Sequence, residues 1–353
     1  MAHPIDIARF GSIPLSWDSG VSNVKHNLLS FFNPTCRWMT RHSARILMYH
    51  GFAPNGTPGK LCASVFEEQI RFLARHYRPC RMDQLVAWLQ AGEPLPPNLV
   101  AITIDDGYAN FFEIAYPILK RYRIPATFYI VSNFVDQAIW LWFDLLKYQM
   151  MQGKPGSYMF NIGGSAQYIV LSDKYTRYNA WNKLADACLL ITQNERLIAL
   201  DEIGSILGVS IPDRPSQEFR AITWDQLGQL DPELIEIGSH TCSHPILTKC
   251  SESELENELT QSKNTIESEL GRKVVSFCYP NGQISDYNPS VMQAVQKAGY
   301  TNAVVAHGTL VEANANRFAL ERISAPHNNQ FFQYMIDSRP YLSQQKKSLI
   351  GSK

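Results

Sequence analysis

The sequence predicts an α/β fold in which seven buried strands alternate with helices, closed as a (β/α) barrel-like ring or laid out as a doubly wound sheet. Three observations predict it. Seven short runs rich in β-branched and aromatic residues recur along the 353-residue chain. Most are continuously apolar rather than alternating, the pattern of strands covered on both faces of a parallel sheet. Helical patterns with one apolar side lie between several of them.

The runs are residues 45–50 (RILMYH), 100–105 (VAITID), 126–132 (ATFYIVS), 235–240 (IEIGSH), 274–280 (VVSFCYP), 303–307 (AVVAH) and 320–326 (LERISAP). Between the first two, residues 64–76 put Val65, Ile70, Leu73 and Ala74 on one side, with Ser64 as the expected N-cap. Residues 111–122 form a helix after the second run. Residues 251–270 open on a capping box from Ser251 to Glu254, turn Leu255, Leu259, Ile266 and Leu270 inward and stop at Gly271. Residues 289–298 make another helix, ended by Gly299.

Residues 133–220 break this rhythm. They carry few strand signals and helical ones at 175–191 and 194–207, with loops expected at 153–156 and 212–218. They read as a mainly helical insertion between the third and fourth strands. The chain then divides into a peripheral segment (1–40), a main domain (41–338) that carries the insertion, and a tail (339–353).

Composition excludes several classes. Lys plus Arg and Asp plus Glu are 32 each, so no bulk charge draws the chain to nucleic acid or anionic lipid. A hydrophobic share of 45% excludes a mainly disordered chain. The seven cysteines are odd in number, scattered and without a CxxC, which argues against a disulfide framework or a zinc ribbon. No basic start leads into an apolar run, and no stretch approaches the ~18 apolar residues of a membrane span. A soluble cytoplasmic protein is the expectation.

The residues that carry chemistry sit at strand ends, which share one face in a parallel α/β fold. His50 ends the first run. Asp105, Asp106 and Gly107 end the second, and two adjacent carboxylates beside a core are costly unless compensated. They could be catalytic, solvated, or a helix cap. His240 ends the fourth run, and His244 follows at i+4, on one side of a helical turn, where the pair could chelate a cation. With one Asp they make a two-histidine, one-carboxylate set suited to Zn, Co, Ni, Mn or Fe. Cys242 lies off that face and is expected to pack. At Phe277–Gly282 a strand enters a turn, and a backbone N–H near Asn281 could face a developing oxyanion.

In this order the three elements resemble the polysaccharide deacetylase family (carbohydrate esterase family 4, the NodB homology domain). TIDDGY, EIGSHTCSHP and the Pro-Asn-Gly turn match its first three motifs; LMYHG, ATFYI, ELTQSK and ERIS add support and resemble the exopolysaccharide or surface-glycan branch. The match runs from about residue 46 to 324, with 133–220 outside it. The resemblance implies a distorted (β/α)7 barrel and a hydrolase that removes the N-acetyl group of an amino sugar in a polysaccharide or glycan precursor. It implies Asp105 as general base and Asp106, His240 and His244 as ligands of one divalent cation, zinc before Co, Ni, Mn or Fe. Asn281, Tyr279 and Tyr108 are placed at the oxyanion or the substrate.

The sequence departs from the family pattern in two places. Cys278 and Asn281 stand where the family often has Arg and Tyr, so Arg322 is the substitute partner for the base. No C-terminal Leu-x-His motif supplies the general acid. His50 is the preferred replacement, then His327 and His307. Trp140, Trp142 and Phe143 are expected in the insertion's own core, and Trp224 at the start of a packing helix. The expected partner is an N-acetylated glycan, with no nucleic acid and no membrane span; the oligomeric state is open. Two other readings remain: the same chemistry on a non-sugar amide or formyl group, and a non-catalytic glycan-binding relic.

Overall fold

A computed structural model describes residues 32–343 and residue 345. Most of the expected peripheral segment, residues 1–31, and most of the tail, residues 344 and 346–353, lie outside the described residues. Seven parallel strands form the frame: β1 (Arg45–Tyr49), β2 (Leu99–Ile104), β3 (Ala126–Ile130), β4 (Ile235–Ser239), β5 (Ser276–Cys278), β6 (Asn302–Val304) and β7 (Ile323–Ser324). Their order across the curled sheet is β6-β5-β4-β3-β2-β1-β7. The chain entering β7 pairs back onto β6, through Leu320 N–H to Ala303 O and Val305 N–H to Leu320 O, and so completes the distorted barrel. Each strand coincides with one of the seven apolar runs. The reason is burial: every residue of β2 and β3 is buried, so neither face needs polar side chains.

Helices cover the outside. Helix Glu252–Leu270 opens on the Ser251–Glu254 capping box and closes on Gly271 at φ 61°. The helix expected from residue 64 instead starts one turn-position earlier, at Ala63, with Cys62 at the cap, so Ser64 is not the N-cap. The short strand Arg78–Cys80 pairs with the first half of β2, where β3 has not yet begun. Its proline fits an edge position. No described helix is long and apolar enough to cross a membrane.

The insertion contains helices Trp142–Gln152, Lys174–Cys188 and Gln193–Leu207, plus an antiparallel hairpin, Gly156–Ile162 with Ser165–Leu171. The hairpin departs from the helical expectation. Gly163 and Gly164, at φ 58° and 78°, make its two-residue turn, a geometry glycine reaches without strain. The insertion has its own apolar core, in which Leu146, Met150, Phe160, Leu184 and Ile203 pack together, apart from the main barrel core.

Candidate active site

The strand ends of the barrel converge as the sequence predicts. Asp105 continues β2, its N–H donating to Tyr49 O at 3.0 Å. It is 2% exposed. Arg322, at the entry to β7, donates from Nη1 to Oδ1 and from Nη2 to Oδ2, both at 2.8 Å. The same guanidinium is fixed by Val305 O and Thr103 Oγ1. Burial alone pushes the Asp105 carboxyl up. The Arg322 charge and its two hydrogen bonds, helped by His50 and His240, hold it well below the usual carboxylate range. Asp105 is therefore an ionised, oriented acceptor.

The next residue turns away. Asp106 has φ 79° and Gly107 φ 102°, so the chain reverses in the left-handed region, which Asp tolerates and Gly favours. His240 follows β4 with its N–H on Ile130 O at 2.9 Å. Its Nδ1 lies 2.7 Å from Cys278 O, which fixes Nδ1 as the protonated nitrogen and leaves Nε2 to ligate. His244 reaches the same place without a helical turn. Thr241 and His244 sit at φ 71° and 59°, so the i+4 spacing works through a strained loop, which corrects the expected helix. Glu258 holds this loop by accepting the N–H groups of Cys242 and Ser243 at 2.7 and 3.0 Å.

Nε2 of His240 and of His244 stand 3.6 and 3.8 Å from Asp106 Oδ1. Two ligands of one tetrahedral zinc ion stand ~3.4 Å apart, given metal–ligand distances near 2.1 Å. The three side chains thus hold donor atoms at a spacing that could seat one divalent cation. The electrostatics agree. Burial pushes His240 down to about 4 and His244 well below its ordinary value, so both stay neutral, the ligating form. Burial, then the charges of Asp105 and Asp144, push Asp106 up. Cys278 belongs to a second donor group with Asp105 and His240. Burial keeps its thiol protonated; its Sγ accepts from Arg322 Nη2 at 3.2 Å and donates to Asp105 Oδ2 at 3.5 Å.

Residues 92–303, more than half of the chain, match the family model described as polysaccharide deacetylase. The chain belongs to the polysaccharide deacetylase family. Over 74 residues it is 35% identical to the poly-β-1,6-N-acetyl-D-glucosamine N-deacetylase of Escherichia coli (strain K12), covering 21% of this chain and 11% of that protein. The enzyme of the same name from Staphylococcus aureus (strain N315) is 36% identical over 75 residues, 21% of this chain and 26% of its own length. The chain thus matches well under a third of either relative. Two solved structures share the fold. The Streptococcus pyogenes deacetylase PplD in complex with acetate has TM-score 0.54 at 18% identity, covering 82% of this chain and 95% of that one. IcaB from Ammonifex degensii has TM-score 0.55 at 14% identity, covering 85% and 97%.

In this family member the other expected site residues divide. His50 Nε2 is 3.8 Å from Asp105 Oδ2, with its side chain half exposed. His327 is exposed and close enough to His50 to act on its charge. His307 sits farther along, its Nε2 3.0 Å from Tyr287 OH. The Asn281 N–H meets no acceptor among the described residues, while its side chain donates to Asp286 at 2.5 Å. Tyr279 corrects the expectation. Its ring is in the barrel core, its hydroxyl donates to Phe318 O and its N–H to Val304 O, so it has no donor left for substrate. Tyr108 turns into the insertion, donating to Asp144 Oδ2 at 2.6 Å.

The insertion is fastened to the catalytic loop. Ala109 N–H donates to Arg220 O and Ile222 N–H to Gly107 O, at 2.8 and 2.9 Å. Phe143 belongs to the insertion's core as expected, but its ring also packs edge-on against His244, centroids 5.3 Å apart. Trp142 is buried, and Trp140 packs on Tyr148 and Phe219. Sequence reasoning missed Glu258 and Asp144. Glu258 opens the ELTQSK word but reads there as an exposed helix residue, and only a carboxylate placed among apolar insertion residues hinted at the second.

Proposed function

We propose that the protein is a metal-dependent hydrolase that removes the N-acetyl group of an N-acetylamino sugar in a glycan and releases acetate. One observation carries this reading: an ionised Asp105, clamped by Arg322, faces a neutral two-histidine, one-carboxylate donor set at the barrel's strand ends. Asp106, His240 and His244 would hold the cation, with zinc the first candidate. A divalent cation there lends Lewis acidity, easing loss of a proton from water near neutral pH and polarising an amide oxygen.

The chain's own residues do the rest. Asp105 takes a proton from the attacking water, in a fixed orientation set by the Arg322 fork. The Asn281 N–H points a hydrogen bond at the negative oxygen that develops on the acetyl carbon. Burial holds His50 below its ordinary value and so neutral at the outset; beside Asp105, it takes on the proton that Asp105 collects and passes it to the departing amine. The names of the E. coli and S. aureus relatives make β-1,6-linked N-acetylglucosamine oligomers the first substrate to try.

The test is acetate release by zinc-loaded protein from such oligomers, set beside a panel of small non-sugar amides and formamides. Turnover of the oligomers that stops on chelation and returns with zinc is expected. Preference for the small amides, or turnover indifferent to chelation, sinks the reading.

A further inference from the structure

Asp144 is the third residue of helix Trp142–Gln152, in the insertion, and is 6% exposed. Its Oδ2 accepts the Tyr108 hydroxyl at 2.6 Å. Its Oδ1 takes no hydrogen bond from any described residue. The two ammonium groups near it are engaged elsewhere: Lys147 with Glu218 Oε1 at 2.8 Å, and Lys60 with the Glu218 carbonyl. Asp144 is thus a buried carboxylate with one neutral partner and one open oxygen. The fold alone gives no reason for it, because an amide or an apolar side chain would avoid the cost of burying the charge.

Its position is suggestive. Tyr108, which it holds, lies two residues after Asp106, and its neighbour Phe143 packs on His244. Asp144 thus stands beside the donor set, on the side the insertion builds. A carboxylate oxygen with no partner there can accept O–H groups, and the glycan is rich in them.

Resting on the glycan reading above, we propose that Asp144 is a specificity-determining residue that accepts a hydrogen bond from a hydroxyl of the sugar bound in the cleft. The insertion then supplies what tells a sugar from a simple amide, while the barrel supplies the chemistry. A contact of this kind, between a charged acceptor and a hydroxyl, discriminates by about 10- to 100-fold.

The experiment pairs substrate and protein changes. Zinc-loaded wild type and Asp144→Asn are assayed on an N-acetylglucosamine oligosaccharide, on monodeoxy analogues lacking one hydroxyl each, and on an aryl acetate with none. The ratio of kcat/KM for oligosaccharide over aryl acetate is expected to fall at least tenfold in the variant. One deoxy analogue is expected to lose at least tenfold with wild type and less than threefold further with the variant, the non-additivity of a broken pair. Equal losses on oligosaccharide and aryl acetate would overturn the inference, by making Asp144 a support of the fold or the donor set. So would a wild type that tolerates every deoxy analogue, a result that needs no variant to fold. A wild type that turns over the aryl acetate but no oligosaccharide fails the glycan reading itself, and this inference with it.

Discussion

Asp105 and Asp144 are both buried carboxylates, the first rooted in the barrel and the second in the insertion, and their surroundings treat them in opposite ways. Asp105 receives a two-pronged guanidinium and is held well below the usual carboxylate range. Asp144 receives one phenol and is pushed up to about 6 by burial, with the Tyr108 bond and two lysines only partly opposing it. The barrel fixes its carboxylate completely, as a base in a rigid frame requires. The insertion leaves its carboxylate half satisfied, as the proposed sugar contact would require. A pair of substitutions at each site can break this contrast or sharpen it.

The largest effect is expected at Asp105. Asp105→Asn should lower kcat about 10³- to 10⁴-fold, the range for a lost general base. Bound zinc, measured by elemental analysis, should stay stoichiometric, because the donor set is Asp106, His240 and His244. His240→Ala should instead lose the metal. Equal metal loss in both variants would remove the separation of roles.

Next comes the clamp. Arg322→Met leaves Asp105 buried and unpaired, a loss of about 3–5 kcal/mol of stability for breaking such a pair. The fall should show in denaturant melts, with a lower kcat in the folded fraction. A stable variant of full activity would mean that Arg322 does not orient the base. His50→Gln is milder. A half-exposed acid can be replaced in part by water, so a loss of about 10²-fold in kcat is expected. His307→Gln should cost little, since His307 is bonded to Tyr287.

The barrel half of this comparison was legible in the sequence; of the insertion, helices Lys174–Cys188 and Gln193–Leu207 were legible but the hairpin and the Tyr108–Asp144 contact were not, for a physical reason. Strands buried on both faces must be continuously apolar, so seven runs announced seven strands, and the polar residues closing them announced the cleft. Arg322 was found because a missing arginine left the base without a partner. The insertion obeys weaker rules. Its hairpin alternates, SYMFNI before Gly163-Gly164 and SAQYIVL after, and this was the available signal, overlooked among helical neighbours. The short strand Arg78–Cys80 carries a proline and is only three residues long, so its pairing depends on the space beside β2. The His240–His244 loop shows spacing alone misleading. The i+4 interval does bring the two imidazoles to one place, but through positive φ at Thr241 and His244, not through a helix. Asp144 became visible only when Tyr108 was seen to reach it.

The smallest effect is the most diagnostic of the contrast, because it has the opposite sign. A buried acid whose folded pKa is raised binds more protons folded than unfolded between the two values. Its contribution is therefore full below about pH 4 and lost as pH rises through about 6. Asp144→Asn removes that loss while keeping an acceptor for Tyr108. In metal-stripped protein the variant should gain on wild type as pH rises from about 4 to 6, reaching roughly 3 kcal/mol above pH 6 and remaining flat beyond. Asp105 should give the reverse. Its depressed pKa stabilises the fold above the ordinary carboxylate range, and that stabilisation is lost only as pH falls below it. Urea melts of the two Asp→Asn variants, carried from about pH 8 down to about pH 2, read both slopes, Asp144 above pH 4 and Asp105 below it. A variant at 144 that is more stable at neutral pH yet poorer on glycans would show a carboxylate retained against the fold's preference. One that is less stable at every pH would make Asp144 a support of the fold, and the contrast between the two regions would vanish.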